Sequence, residues 1–402
     1  MKIIFALILA LLAVSISAFA DPGHWQGKQR AVVLLLEWKN QPAKHSVAEV
    51  NEVFFGEGKS SVRDFLRENS AGTADLTGDV RNWLRTEQTW NGSDSCDLDR
   101  IVNEAWQKFS RAINIADYDS DHDGKIDNLF IVHSGRINSD RVGPSCAFTE
   151  SRFANHTIVF QSEGLGSIGQ QIPIGFYLHE AGHAYFGFPD LYNDHYHGHY
   201  GIGMWGMMGL GAWGTDNRMR REDMFRYPSH FEPYSKVQIG WVTPHVVSQT
   251  TQHVSIRAVE ASGDIVAIPV GSNTSYYLEY RSAQGFSRDH RGHGLLIWKN
   301  YELIQADGRN DLDHGHNLGH RPVPPNDENF GDDSDPFPGS GNVTFHEDRD
   351  AHVRIENIAQ FADHMEFDVR MLDGFKARRW KRPHPAPMDF QGIDFSIRPL
   401  DF

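Results

Sequence analysis

Two histidines four positions apart, with a glutamate beside the first, form a pattern that can do chemistry: His179-Glu180-Ala181-Gly182-His183. Placed on a helix, positions i and i+4 share a face. The two imidazoles can then present one nitrogen each to a single Zn²⁺, with Glu180 beside the open coordination position. A divalent zinc lowers the pKa of its water towards 7, and an adjacent carboxylate can take that proton and pass it to a leaving amine. Such a site hydrolyses amides. A catalytic zinc takes three protein ligands, so one more is needed. Gly187 can end the helix and reverse the chain, Pro189 stiffens the returning segment, and Asp190 is the first side chain past the turn able to bind a metal. Asp194, His195, His197 and His199 are its rivals for the third position.

Two further groups suit a harder cation. Asp119, Asp121, Asp123 and Asp127 alternate around Gly124, a spacing that lets carboxylate oxygens converge on calcium. The twelfth position of that loop is Phe130 rather than a glutamate, so the expectation is a shortened loop and not a complete EF-hand. A second acidic set, Asp307, Asp311, Asp313, Asp333 and Asp335, is spread along a Gly- and Pro-rich stretch and is a weaker calcium candidate. Cys96 and Cys146 are the only cysteines, and neither lies in metal-ligand spacing. In an oxidising compartment one disulfide is their natural state.

These groups need elements to position them. Arg30 to Glu37 and Asn128 to His133 read as buried strands, and Ser61 to Asn69 and Leu98 to Ile113 as helices. The first half therefore interleaves helices and strands around one sheet. From about Val247 the texture changes to short apolar segments, among them Ile265 to Val270, Tyr276 to Tyr280, Gly294 to Trp298, Val353 to Ile358 and Met365 to Val369, which predicts a β-sandwich. From Asp373 on, basic residues stand among prolines without periodicity, as in a loosely ordered tail. At the other end, the apolar run Ile3 to Val14 and the small residues Ala18 and Ala20 read as a secretory signal peptide. That run is too short for a comfortable membrane span, so no membrane anchor is expected. A formal charge of −15 argues against a nucleic-acid partner or an anionic membrane.

The sequence resembles the M6 metallopeptidases, the family typified by bacterial immune inhibitor A. The resemblance rests on the HExxH segment followed by Gly187-Phe188-Pro189-Asp190-Leu191-Tyr192 and on the Met-containing turn Gly201 to Trp213, where Met208 is the matching methionine. It continues through Tyr234 to Trp241, Tyr277 to Arg281, Gly294 to Trp298, Gln305 to Gly308 and Asp335 to Gly339, covering about residues 30 to 370. In the family's spacing Phe186 is an extra residue, and Lys299 stands where relatives carry a histidine. The resemblance implies an α+β fold in which a zincin-type catalytic domain, with a mixed sheet and the HExxH helix, precedes the β-sandwich. The expected division is a signal peptide over 1–20, a catalytic domain over 21–246, a sandwich over 247–372 and a basic tail over 373–402.

The expected function is that of a secreted zinc metalloendopeptidase acting on proteins or peptides, outside the cytoplasm in the extracellular space or the periplasm. Zinc is the expected catalytic metal, on His179, His183 and Asp190, with calcium as a structural ion. Two other classes are compatible with the pattern: a catalytically silent binding or adhesion protein on the same fold, and a zinc amidase or esterase acting on a non-protein substrate.

Overall fold

A strand that is apolar on both faces has to lie inside a sheet covered on either side. In the computed structural model of the protein, β1 (Gly27–Glu37) does so. Ala31, Val33 and Leu35 enter one core, Val32, Leu34 and Leu36 enter another, and all six are fully buried. The structure describes residues 25–91, 98–135, 148–149, 151–161, 174–192, 201–214, 227–312 and 329–383. Cys96, Cys146, Asp194, His195, His197, His199, Asp313, the signal peptide and the tail beyond residue 383 lie outside them.

After β1 come α1 (Val47–Phe55), α2 (Val62–Asn69), β2 (Ala74–Val80), β3 (Leu84–Arg85), α3 (Leu98–Phe109), β4 (Ile126–His133), β5 (Phe148–Thr149), β6 (Ala154–Gln161) and α4 (Ile174–Phe186). Strands β2, β1, β4 and β6 are neighbours in that order and run parallel. β3 pairs with β1 in parallel, and β5 is antiparallel on the far edge of β6. Ser46 and Ser61 start α1 and α2 through reciprocal bonds with Glu49 and Asp64, which satisfy first-turn amides. One face of the sheet is covered by α3 and the other by α1, α2 and α4.

α5 (Pro233–Gln238) leads into a second half built almost entirely of strands: β7 (His245–Val246), β8 (Thr251–Arg257), β9 (Val266–Pro269), β10 (Ser275–Arg281), β11 (Gly294–Lys299), β12 (Glu302–Ile304), β13 (His346–Asp348), β14 (Val353–Gln360) and β15 (His364–Met371). They form a sheet in the order β12-β11-β10-β9-β7 and another in the order β13-β14-β15-β8. Ile256, Ile268, Leu278, Ile297, Ile355 and Phe367, drawn from both sheets, share one core. Period-two alternation sends the opposite face of the five-stranded sheet elsewhere. Ala267, Tyr277, Leu296 and Trp298 join the core around α4, so the two halves are packed together.

Among the described residues the chain is thus a mixed α and β protein with three sheets and few helices, in keeping with an α+β class. Residues 373–383 form neither helix nor strand, yet Trp380 packs on the core around α4. No helix among the described residues is long and apolar enough to cross a membrane.

Candidate metal centre

All thirteen residues of α4 are buried, so the helix carrying His179, Glu180 and His183 runs through the interior instead of lying on the surface. Two glycines let it fit. A Cβ on Gly175 would stand 2.0 Å from the carbonyl oxygen of Ala212, and one on Gly182 would stand 2.5 Å from the sulfur of Met208. Met208 itself is fully buried. The methionine picked out from sequence therefore lies against the helix between its two histidines.

The helix ends just past its second histidine. Phe186 is its last member, and Gly187 follows with φ +67°, the left-handed conformation that glycine adopts without strain. The amides of Gly187 and Phe188 donate back to the carbonyls of His183 and Gly182, both at 3.0 Å. This turn places the Phe188 carbonyl beside His183 and swings Asp190 back towards both imidazoles. The chain thus turns back on the histidines directly after Phe186.

The imidazoles are oriented by backbone. His179 Nδ1–H donates to the carbonyl of Met207 at 2.9 Å, and His183 Nδ1–H donates to that of Phe188 at 2.7 Å. A carbonyl only accepts, so both rings have a fixed tautomer and both Nε2 atoms are turned inward. The two Nε2 atoms are 3.2 Å apart, and Asp190 Oδ1 lies 3.1 Å from that of His179 and 3.3 Å from that of His183. Ligands at about 2.0–2.2 Å from a tetrahedral zinc are separated by roughly 3.3 Å. The triangle of donor atoms has that size, and two nitrogens with one carboxylate oxygen are a zinc donor set. The residues fit the ion.

Electrostatics favour a cation among them. Burial pushes the Glu180 carboxyl up to about 7, against the pull of His183 and His179. Burial opposes a charged His183, but Asp190 and Glu180 raise it to about 9. Asp190, whose side chain is 41 % exposed, resists the upward effect of burial because His179 and His183 bond to it, and it lies well below the usual carboxylate range. One open-sided carboxylate and two interior imidazoles leave access from the Asp190 side.

The chain matches no protein-family model and no curated protein.

The calcium candidates fare differently from one another. Donor atoms of Asp119, Asp121 and Asp127 lie within 4.8 Å of one another, and Asp119 and Asp127 are only 9 % and 2 % exposed. Asp123 turns away: its carboxylate accepts the Asn155 side-chain amide at 3.0 Å and the Lys125 backbone amide at 2.8 Å. Among the described residues, the second acidic set forms no such group. Asp307 accepts the Ser334 hydroxyl, Asp311 the Asn329 amide, and the backbone carbonyl of Asp333 takes the Ser340 amide. Asp335, pushed up to about 7 by burial, accepts the Trp205 indole and the Asp332 amide. Among the described residues, the two converging groups are His179 with His183 and Asp190, and Asp119 with Asp121 and Asp127.

Sequence reasoning missed the groups that aim the ligands. The carbonyls of Met207 and Phe188 have no side-chain signature, because every residue carries one. The only trace in sequence is the glycine on either side of the methionine pair, Gly206 and Gly209.

Proposed function

We propose that the protein is a secreted zinc metallopeptidase of the M6 kind. In this reading the first half, to about residue 246, is a zincin-type catalytic unit and residues 247–372 are a β-sandwich packed on it. His179, His183 and Asp190 hold zinc, Glu180 is the general base, and the substrates are proteins or peptides. Calcium at the Asp119 to Asp127 loop is structural. One observation carries the reading: three donor atoms, separated by 3.1, 3.2 and 3.3 Å, face one another while backbone carbonyls occupy the far nitrogens of both histidines.

Zinc held there supplies a Lewis acid that polarises water and the scissile carbonyl. Glu180 takes the proton of the attacking water and returns it to the departing amine. The carbonyls of Met207 and Phe188 keep the imidazoles in the ligating tautomer through the cycle.

The test is Glu180→Gln, measured for zinc content and for casein hydrolysis. The change keeps size and polarity and deletes the base. Zinc should remain at one per chain while the rate falls by at least about 10²-fold. Turnover at the wild-type rate would remove Glu180 from the mechanism. A wild-type protein that binds zinc and leaves casein intact would favour the silent binding protein or a non-protein substrate.

A further inference from the structure

Behind the metal centre lies a buried carboxylate that the hydrolytic cycle does not use. Glu232 is fully buried at the start of α5. Its Oε1 accepts the amide of Met208 at 2.9 Å, and its Oε2 accepts the hydroxyl of Ser235 at 3.1 Å. Each oxygen thus has its own donor. The turn from Gly206 to Gly209 wraps around it: a Cβ on Gly206 would stand 2.2 Å from Oε1, so only glycine lets the chain approach this closely. The amide of Met207, one residue earlier, donates to the carbonyl of His230 at 2.9 Å.

The peptide held this way is the one whose other end aims a ligand. The carbonyl between the Met207 and Met208 residues, that of Met207, takes the Nδ1–H of His179. The Met208 carbonyl accepts the amide of Leu191 at 2.8 Å, next to Asp190. A single planar peptide therefore bonds Glu232 on one edge and His179 on the other, since its N–H and C=O point in opposite directions. Charges from the second half close the network. Lys236, on α5, pairs with Glu279 at 3.0 Å, and Glu279 pairs with Arg281 at 2.7 Å, both on β10. All three side chains are inaccessible to solvent.

We propose that Glu232 is a positioning residue of the metal centre, acting through the Met207–Met208 peptide to fix the ring of His179. The proposal rests on the reading of His179, His183 and Asp190 as a metal site. It also makes the strand-rich half part of the centre, because β10 supplies the charges against which α5 is anchored.

The test compares Glu232→Met, Glu232→Gln and Glu232→Asp in the full chain, using zinc and cobalt alone as probes. Glu232→Met removes both acceptors at similar size. Glu232→Gln keeps an oxygen for the Met208 amide and an NH₂ that can donate to Ser235. Metal affinity should fall about 10-fold or more in Glu232→Met, within the range seen when outer hydrogen bonds to ligands are removed. The visible spectrum of bound cobalt should change with it. Glu232→Gln should stay within about 3-fold of wild type. For any peptide that the protein cleaves, kcat should fall with KM unchanged. If Glu232→Met does not fold, as judged by melting and near-UV dichroism, Glu232→Asp replaces it; its shorter arm retains the charge but draws away from the amide. Wild-type affinity and cobalt spectrum in a folded Glu232→Met or Glu232→Asp would overturn the proposal, as would an equal loss in Glu232→Gln. A wild-type chain that binds neither metal overturns the metal-site reading itself and the proposal with it.

Discussion

The His179 centre and the Asp119 loop each gather three candidate ligands within 4.8 Å, yet they are built in opposite ways. In the first, the Nδ1 of each histidine is occupied by a carbonyl and the Nε2 atoms face one another. In the second, the carboxylates spend their oxygens on their own loop: Asp119 accepts the amides of Asp123 and Gly124, and Asp127 accepts the amide and hydroxyl of Ser120. Asp121 lies in the open, where water competes for it. Proximity of ligand-type residues is common to both. What separates a built centre from a turn that can recruit an ion is the partner of each atom that does not ligate.

The comparison breaks most completely at Asp190. Asp190→Ala leaves two imidazoles and no third ligand, so zinc and hydrolysis should be lost together after dialysis. Asp121→Ala, in the other region, should keep one zinc per chain and full hydrolysis. Metal analysis beside a casein assay reads both. One zinc per chain in Asp190→Ala, with normal proteolysis, would place the third ligand in the histidine-rich stretch containing His195, His197 and His199.

Much of this contrast was legible because it is local. The spacing of His179 and His183 fixes their shared face, and the structure carries them on α4 as expected. The strands expected at Arg30 to Glu37 and Asn128 to His133 lie within β1 and β4, because unbroken apolar runs are decisive there. The helix expected to reach Ile113 stops at Phe109 and continues as one 3₁₀ turn, Ser110–Ala112. β2, with the sequence Ala-Asp-Leu-Thr-Gly-Asp-Val, went unread: only its first and third residues are buried, so pairing with β1 and not pattern makes it a strand. The outward turn of Asp123 depends on Asn155, brought to it by the pairing of β4 with β6. Glu232 depends on a turn more than twenty residues earlier. Such long-range partners leave no periodic mark.

Acid would protonate the carboxylates of both regions, so the comparison is sharper once an unrelated carboxylate is subtracted. Asp75, on β2, receives bonds of 2.7 to 3.0 Å from Arg63 and Arg67. The bonds from Arg63, against burial and with help from Arg67, hold its carboxyl at about 2. The unfolded value is about 3.9. A depressed carboxyl stabilises the fold above the unfolded value and loses that contribution as pH falls through the folded one. Between about pH 4 and pH 2 the metal-free protein should lose roughly 2 kcal/mol from this group, discounted for the partial exposure of Arg67. Urea melts at stepped pH, in chelator, should show a shallower acid limb in Asp75→Asn. An unchanged limb would assign the acid loss elsewhere.

The smallest effect belongs to the exposed loop, and it tests whether the turn recruits an ion at all. A cation that binds only the folded chain adds RT ln(1 + [L]/Kd), or about 1.4 kcal/mol at a tenfold excess over Kd. Calcium should therefore raise the melting temperature of the zinc-loaded protein by a few degrees at most. The geometry divides the four aspartates between ligation and scaffolding. Asp121 belongs to the converging group, whereas Asp123 is turned to Asn155 and the Lys125 amide. Asp121→Ala should abolish the calcium response, and Asp123→Ala should lower the starting temperature while retaining most of the shift. Differential scanning calorimetry with and without calcium separates the two. Equal shifts in wild type and Asp121→Ala would show that calcium acts elsewhere, and that these carboxylates serve only to tie their loop to β4.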